Sequence, residues 1–158
     1  MAGFSWTIGS GSGSGTTGTT GGGFADTAEG RNDRRTLGTD LLFDGDYAVG
    51  QDGDYILLSG LENLRQAVYR RLLTKPGEYK FVPEYGVGIQ LWVKRKRTPA
   101  ILKQLESAIR ENLLREKRIE RIVDIAIQNI EGGVQINIAV KASGRFLRFS
   151  PFLFSEDV

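Results

Sequence analysis

Apolar positions recur at helical spacing in the middle of this chain and change to strict alternation near its carboxyl end. Leu61, Leu64, Val68 and Leu72 fall on one helical face, with Arg65 and Arg71 away from it. Ser59 followed by Glu62 has the spacing of a capping box, which predicts the start of that helix, and Pro76-Gly77 predicts its end. A second helix is announced by Thr98 as cap and Pro99 at the first helical position, with Leu102, Leu105, Ile109 and Leu113 as its stripe. The loop-rich stretch between them, residues 75 to 97, offers Phe81-Val82 and Ile89 to Val93 as short strands.

The period then becomes two. Val123, Ile125 and Ile127 alternate with Asp124 and Gln128; beyond Gly132-Gly133, Val134, Ile136, Ile138 and Val140 alternate with Gln135, Asn137 and Lys141. This is a hairpin with one wet face. A third strand is expected from Arg145 to about Phe154, and Pro151 puts it at a sheet edge or breaks it there. Upstream, Leu41 to Phe43 and Tyr55 to Leu58 read as extended segments joined by turns at two Asp-Gly pairs. The expected fold is α+β: two helices packed on one face of a roughly three-stranded antiparallel sheet.

Residues 9 to 23 contain only Gly, Ser and Thr, which bury too little apolar surface to offset the entropy of ordering. They read as a flexible arm, roughly 20 Å across as a coil and at most about 50 Å when straight. The expected division is an arm and linker over 1–36 and a domain over 37–158. Ahead of the Gly-rich run, Phe4, Trp6 and Ile8 alternate as one face of a short strand would. Two readings stand: a tip that docks on a neighbouring subunit, or a terminus with incidental aromatics.

Composition narrows the chemistry. The 158 residues, 40% hydrophobic, suit one compact domain, and 21 basic against 19 acidic side chains imply no nucleic-acid partner. Cysteine and histidine are both absent, which removes disulfides, the usual zinc ligands and every Ser-His or Cys-His nucleophile. No metal or cofactor is expected. No apolar run approaches the ~20 residues that cross a bilayer, and residues 1 to 8 lack the basic start of a signal peptide. The expectation is a chain made in the cytoplasm with no membrane partner. Asp44, Asp46, Asp52 and Asp54 fail the EF-hand template, which would need glycine where Val49 stands and glutamate where Tyr55 stands; Asp-Gly turns account for them better. The basic run from Lys94 to Arg97, beside Trp92, suits a solvated loop or an acidic neighbour better than nucleic acid.

Leu57-Leu58-Ser59-Gly60, the helix containing Gln66 and Arg71 to Thr74, then Gly77-Glu78 and Pro83-Glu84-Tyr85-Gly86, together resemble the W-type baseplate wedge proteins of contractile phage tails, which are similar to a type VI secretion baseplate component. The likeness runs through the second helix, Glu116 to Ile119 and the hairpin, over roughly residues 54 to 142. It implies a non-enzymatic subunit of a tail baseplate, assembled in the host cytoplasm in six copies, with wedge proteins and the tail sheath protein as partners. Tail tube or hub proteins would be reached through the N-terminal arm. In that family a Glu-Pro-Arg tripeptide engages the helical bundle of the wedge, so Glu116, Lys117 and Arg118 become the expected contact, with Lys117 where the family carries proline. Without proline the second helix need not stop there. The family also accepts sheath strands on a sheet edge. The resemblance points to Val134, Ile136, Ile138 and Val140 or to Phe146 and Arg148, and the sequence leaves open which strand is free. The enzymatic alternative is a tail lysozyme using a pair among Glu78, Glu84, Glu111 and Glu116, which would need two carboxyls about 5 Å apart, one of them with a raised pKa.

Overall fold

A computed structural model describes residues 34–43, 46–149 and 151–155. Phe4, Trp6, Ile8 and Asp44 therefore lie outside the described residues. Helical residues 34–37, called α1, lead into a small sheet of β1 (Thr39–Leu41) and β2 (Leu57–Ser59). Then follow α2 (Gly60–Leu73), α3 (Ile89–Val93), α4 (Pro99–Leu114), β3 (Ile119–Ile130), β4 (Gly133–Ala142), β5 (Arg145–Arg148) and β6 (Phe152–Ser155). The class is α+β, with a four-stranded antiparallel sheet and a two-stranded one.

β4 is the central strand. β3 runs antiparallel along one flank, while β5 and then β6 run antiparallel along the other. The single third strand expected from the sequence is thus two strands. Ala139 faces Arg148, but Ile136 faces Phe152, so the two registers differ by one residue, and Pro151 stands at the step. Proline is tolerated at such an irregularity because it has no N–H to give to the ladder.

Along β4, Val134, Ile136, Ile138, Val140 and Ala142 all point into the core. β3 behaves differently. Its register against β4 shifts between Ile119 and Arg121 and again between Ile122 and Asp124. Each extra residue rotates the following side chains to the other face. The inward residues are therefore Ile119, Ile122 and Ile125, spaced by three, while Val123 is turned outward and is 46% exposed. The alternation read through Val123 holds only beyond the second shift.

α2 and α4 complete the core. Leu64, Val68 and Leu72 of α2 and Leu105, Ile109 and Leu113 of α4 are fully buried among the sheet residues. Tyr69 on α2 stacks on Phe152 and Phe154 of β6 at 6.2 and 5.9 Å, and α4 packs against β3. Thr98 caps α4 by accepting from the Ile101 N–H at 3.3 Å, with Pro99 in the first turn, as expected.

Three local expectations need correction. Ser59 is the N-cap of α2, but its side chain makes no capping bond and Glu62 pairs with Arg65 instead. Ser59 is held as the last residue of β2 opposite Thr39, and Gly60 then turns the chain at φ 65°. Phe81-Val82 is no strand: Phe81 sits in a turn and is 94% exposed. Ile89 to Val93 is a helix, with Ile89 and Val93 buried and Leu91 exposed; a five-residue run fits both periods, and here the i, i+4 pair meets the core.

The β1–β2 sheet is anchored by Gln66. This buried amide donates to the Leu41 carbonyl and accepts from the Phe43 N–H, both at 2.9 Å, standing in for a strand.

β6 runs close against Gly133, where an added Cβ would be driven into the Phe154 carbonyl. Gly133→Ala should lower stability by about 1–3 kcal/mol, as overpacking does. Measured by urea unfolding, a loss under a few tenths of that would contradict the close pairing of β6 with β4.

Candidate functional site

The Glu116-Lys117-Arg118 element forms the corner between α4 and β3. α4 ends at Leu114 with Arg115 as its cap, although no proline stops it. The corner is closed by the Glu116 N–H on the Leu113 carbonyl at 3.0 Å and the Ile119 N–H on the Glu116 carbonyl at 2.9 Å.

The two charged side chains turn inward. Arg118 Nε donates to Glu116 Oε1 at 2.7 Å, and Arg118 Nη1 donates to the Leu37 carbonyl at 3.1 Å. That carbonyl also receives Asn63 Nδ2 at 3.0 Å. Arg71 on α2 reaches the other oxygen of Glu116 at 3.4 Å and lies 4.5 Å over the ring of Tyr85. The side chains of Glu116 and Arg71 are only 11% and 12% exposed, and that of Arg118 is 25% exposed. Arg71, expected to point away from the apolar stripe, is the second cation of a buried cluster. Lys117 is exposed.

Burial pushes the Glu116 carboxyl up, but the hydrogen bond from Arg118 and the charges of Arg118 and Arg71 outweigh it, so its pKa falls below the ordinary 4.5. Burial raises the Tyr85 phenol against the pull of the same arginines. Beside them Arg70 bonds Asp40 on β1 and lowers its carboxyl. The cluster thus ties α1, α2, the loop bearing Tyr85 and the α4–β3 corner together. Nothing in the sequence around residue 71 links it to 116; the pairing is tertiary.

The expected strand-addition edge divides. Val134, Ile136, Ile138 and Val140 belong to β4, which is paired along both flanks with its inward side chains buried, so they form no edge. Phe146 and Arg148 lie on β5, whose second flank carries no strand among the described residues. Phe149 donates to the Ile138 carbonyl at 3.0 Å. Because bonded and non-bonded pairs alternate in an antiparallel ladder, the main-chain groups of Leu147 face β4 and those of Phe146 and Arg148 face outward. The Phe146 side chain is 68% exposed.

Other singled-out residues have local roles. Asp46 accepts from the Tyr47 N–H and Asp52 from the Asp54 N–H. Arg95 lies 5.0 Å over Trp92, and Arg97 donates to the Val93 carbonyl near the end of α3. Among the described residues no helix is long and apolar enough to cross a membrane.

The family model of the contractile injection system sheath initiator matches residues 39–144. A chain of the anti-feeding prophage baseplate, solved by cryo-EM with 6-fold symmetrisation, has a similar fold: TM-score 0.54 and 24% identity, over 79% of this chain and 90% of that one. A putative tail lysozyme from Geobacter sulfurreducens is similar at TM-score 0.50 and 24% identity, over 61% of this chain and 93% of that one. No curated protein matches in sequence.

Glu116→Gln should cost about 2 kcal/mol at neutral pH, between the values for exposed and fully buried ion pairs. Its folded pKa lies below the unfolded value, so its contribution is complete above pH 4.5 and disappears as pH falls through the folded value. Urea midpoints of the two proteins should converge in acid; a gap that stays constant down to pH 2 would refute the assignment.

Proposed function

Since the chain belongs to the contractile injection system sheath initiator family, we propose that it sits in a baseplate, joins the wedge at the Glu116–Arg118 corner, and starts the sheath by accepting a strand on β5. The observation that carries this reading is the outward main chain of Phe146 and Arg148 on a flank that, among the described residues, has no partner strand. An added strand would satisfy those groups and pack side chains against Phe146. The outer flank of β3 suits the role less well. Its two register shifts kink the ladder, and Glu120 and Asp124 are exposed along it.

At the corner, Glu116 and Arg118 act mainly as a frame. Their mutual bond and the Leu37 contact occupy much of their capacity, so a wedge helix would meet Lys117 and the exposed part of the Arg118 guanidinium. The partners are wedge proteins and the tail sheath protein, with six copies around the tube of a phage tail or a related particle, assembled in the host cytoplasm. Catalysis has little support. Of the four glutamates considered for a lysozyme, Glu78, Glu84 and Glu111 are exposed, and the buried one, Glu116, has a lowered pKa where a general acid needs a raised one.

Arg148→Pro removes one outward N–H and no internal bond. It should leave wedge joining intact but stop ordered sheath forming on baseplates in electron micrographs; normal sheath on this variant would sink the β5 assignment. Lys117→Glu, at an exposed position, should fold normally and weaken co-purification with wedge proteins roughly tenfold, as loss of ~1.4 kcal/mol would. Unchanged recovery would remove the corner from the interface.

A further inference from the structure

Beside the charged corner lies a groove of about 750 Å³ whose apolar lining is Phe43, Leu73, Tyr79, Val82 and Tyr85. It is a built feature. Phe43 is backed by an edge-to-face run through Tyr47 to Tyr55, with ring centres 5.6 and 6.0 Å apart. The opposite wall is pinned by the Gly77 N–H on the Pro83 carbonyl at 2.7 Å and by the Gly86 N–H on Asn112 Oδ1 at 2.9 Å. Tyr79 and Tyr85 lie 5.9 Å apart within it. Phe43, Tyr79 and Val82 remain exposed, a grouping of apolar surface that calls for a cover.

We propose that the groove binds the Phe4-Trp6-Ile8 segment of the same molecule. The segment carries no charged side chain, and in an extended conformation its three large side chains share one face over about 13 Å. Reach is ample. Residues 9–33 separate Ile8 from α1, a contour of at most about 85 Å and a coil span of roughly 25–30 Å. The root of the arm is itself tied to the groove: the Leu37 carbonyl holds Arg118, Arg118 holds Glu116, Glu116 holds Arg71, and Arg71 covers Tyr85. A tether of this length holds its end at a local concentration of order millimolar, so three anchoring side chains too weak to bind as a separate peptide remain docked. The free subunit thereby covers its own aromatic surface. This proposal does not depend on the wedge or sheath assignments.

The full chain has no cysteine, so Ser5→Cys introduces a single thiol, placed opposite Phe4 and Trp6 on an extended segment. With a nitroxide there, amide signals of Tyr79, Val82 and Tyr85 should lose most of their intensity, while Phe146 and Leu153 on the far sheet face keep theirs. Phe4→Ser with Trp6→Ser, or Tyr79→Ser with Val82→Ser, should restore the groove signals. Broadening spread evenly, concentrated elsewhere, or surviving those changes overturns the proposal. So does broadening seen only when labelled and spin-bearing chains are mixed, which would mean docking between molecules.

Discussion

Five inward side chains of β4, at every second position from Val134 to Ala142, meet β3 on one flank and β5 with β6 on the other, and the rest of the domain is arranged around that strand. Its inward face is buried, and its amides and carbonyls are paired from both sides. β3 does this over its full length at the cost of two register shifts. The short β5 and β6 share the other flank in registers one residue apart. The strand with the strongest apolar alternation is thereby the one least able to accept a foreign backbone.

The second constraint is electrostatic. Glu116 is almost removed from solvent and is stabilised by two arginines of different origin, Arg71 from α2 and Arg118 from the corner before β3. A carboxylate at this depth is costly unless paired and hydrogen-bonded. The same Arg118 also satisfies the Leu37 carbonyl. One charge thus couples the amino-terminal root of the domain, a helix and the corner that opens the main sheet.

The corner and the open flank of β5 stand at the same end of the sheet. Ile119, Ala142 and Arg145 form one row across β3, β4 and β5. The corner leads into β3 and the outer flank of β5 lies on the other side of β4. The aromatic groove opens beside α2, away from the outer sheet face.

Much was legible without coordinates: the apolar stripes of α2 and α4, the Thr98 cap, the hairpin of β3 and β4, and the break at Pro151. The resemblance to baseplate wedge proteins rests on the order of such elements. These features depend on neighbours within a few residues, so local spacing determines them. Tertiary structure alone decided the rest. Extra residues in β3 turned Val123 outward, which no alternation reveals, because a bulge is defined against the partner strand. Ile89 to Val93 became a helix because burial chose between two periods that the run fits equally. Arg71 met Glu116 across 45 positions, and β4 lost its edge to two short strands. Each outcome depends on which distant groups compete for the same buried space or charge, and that competition exists only once the chain has folded.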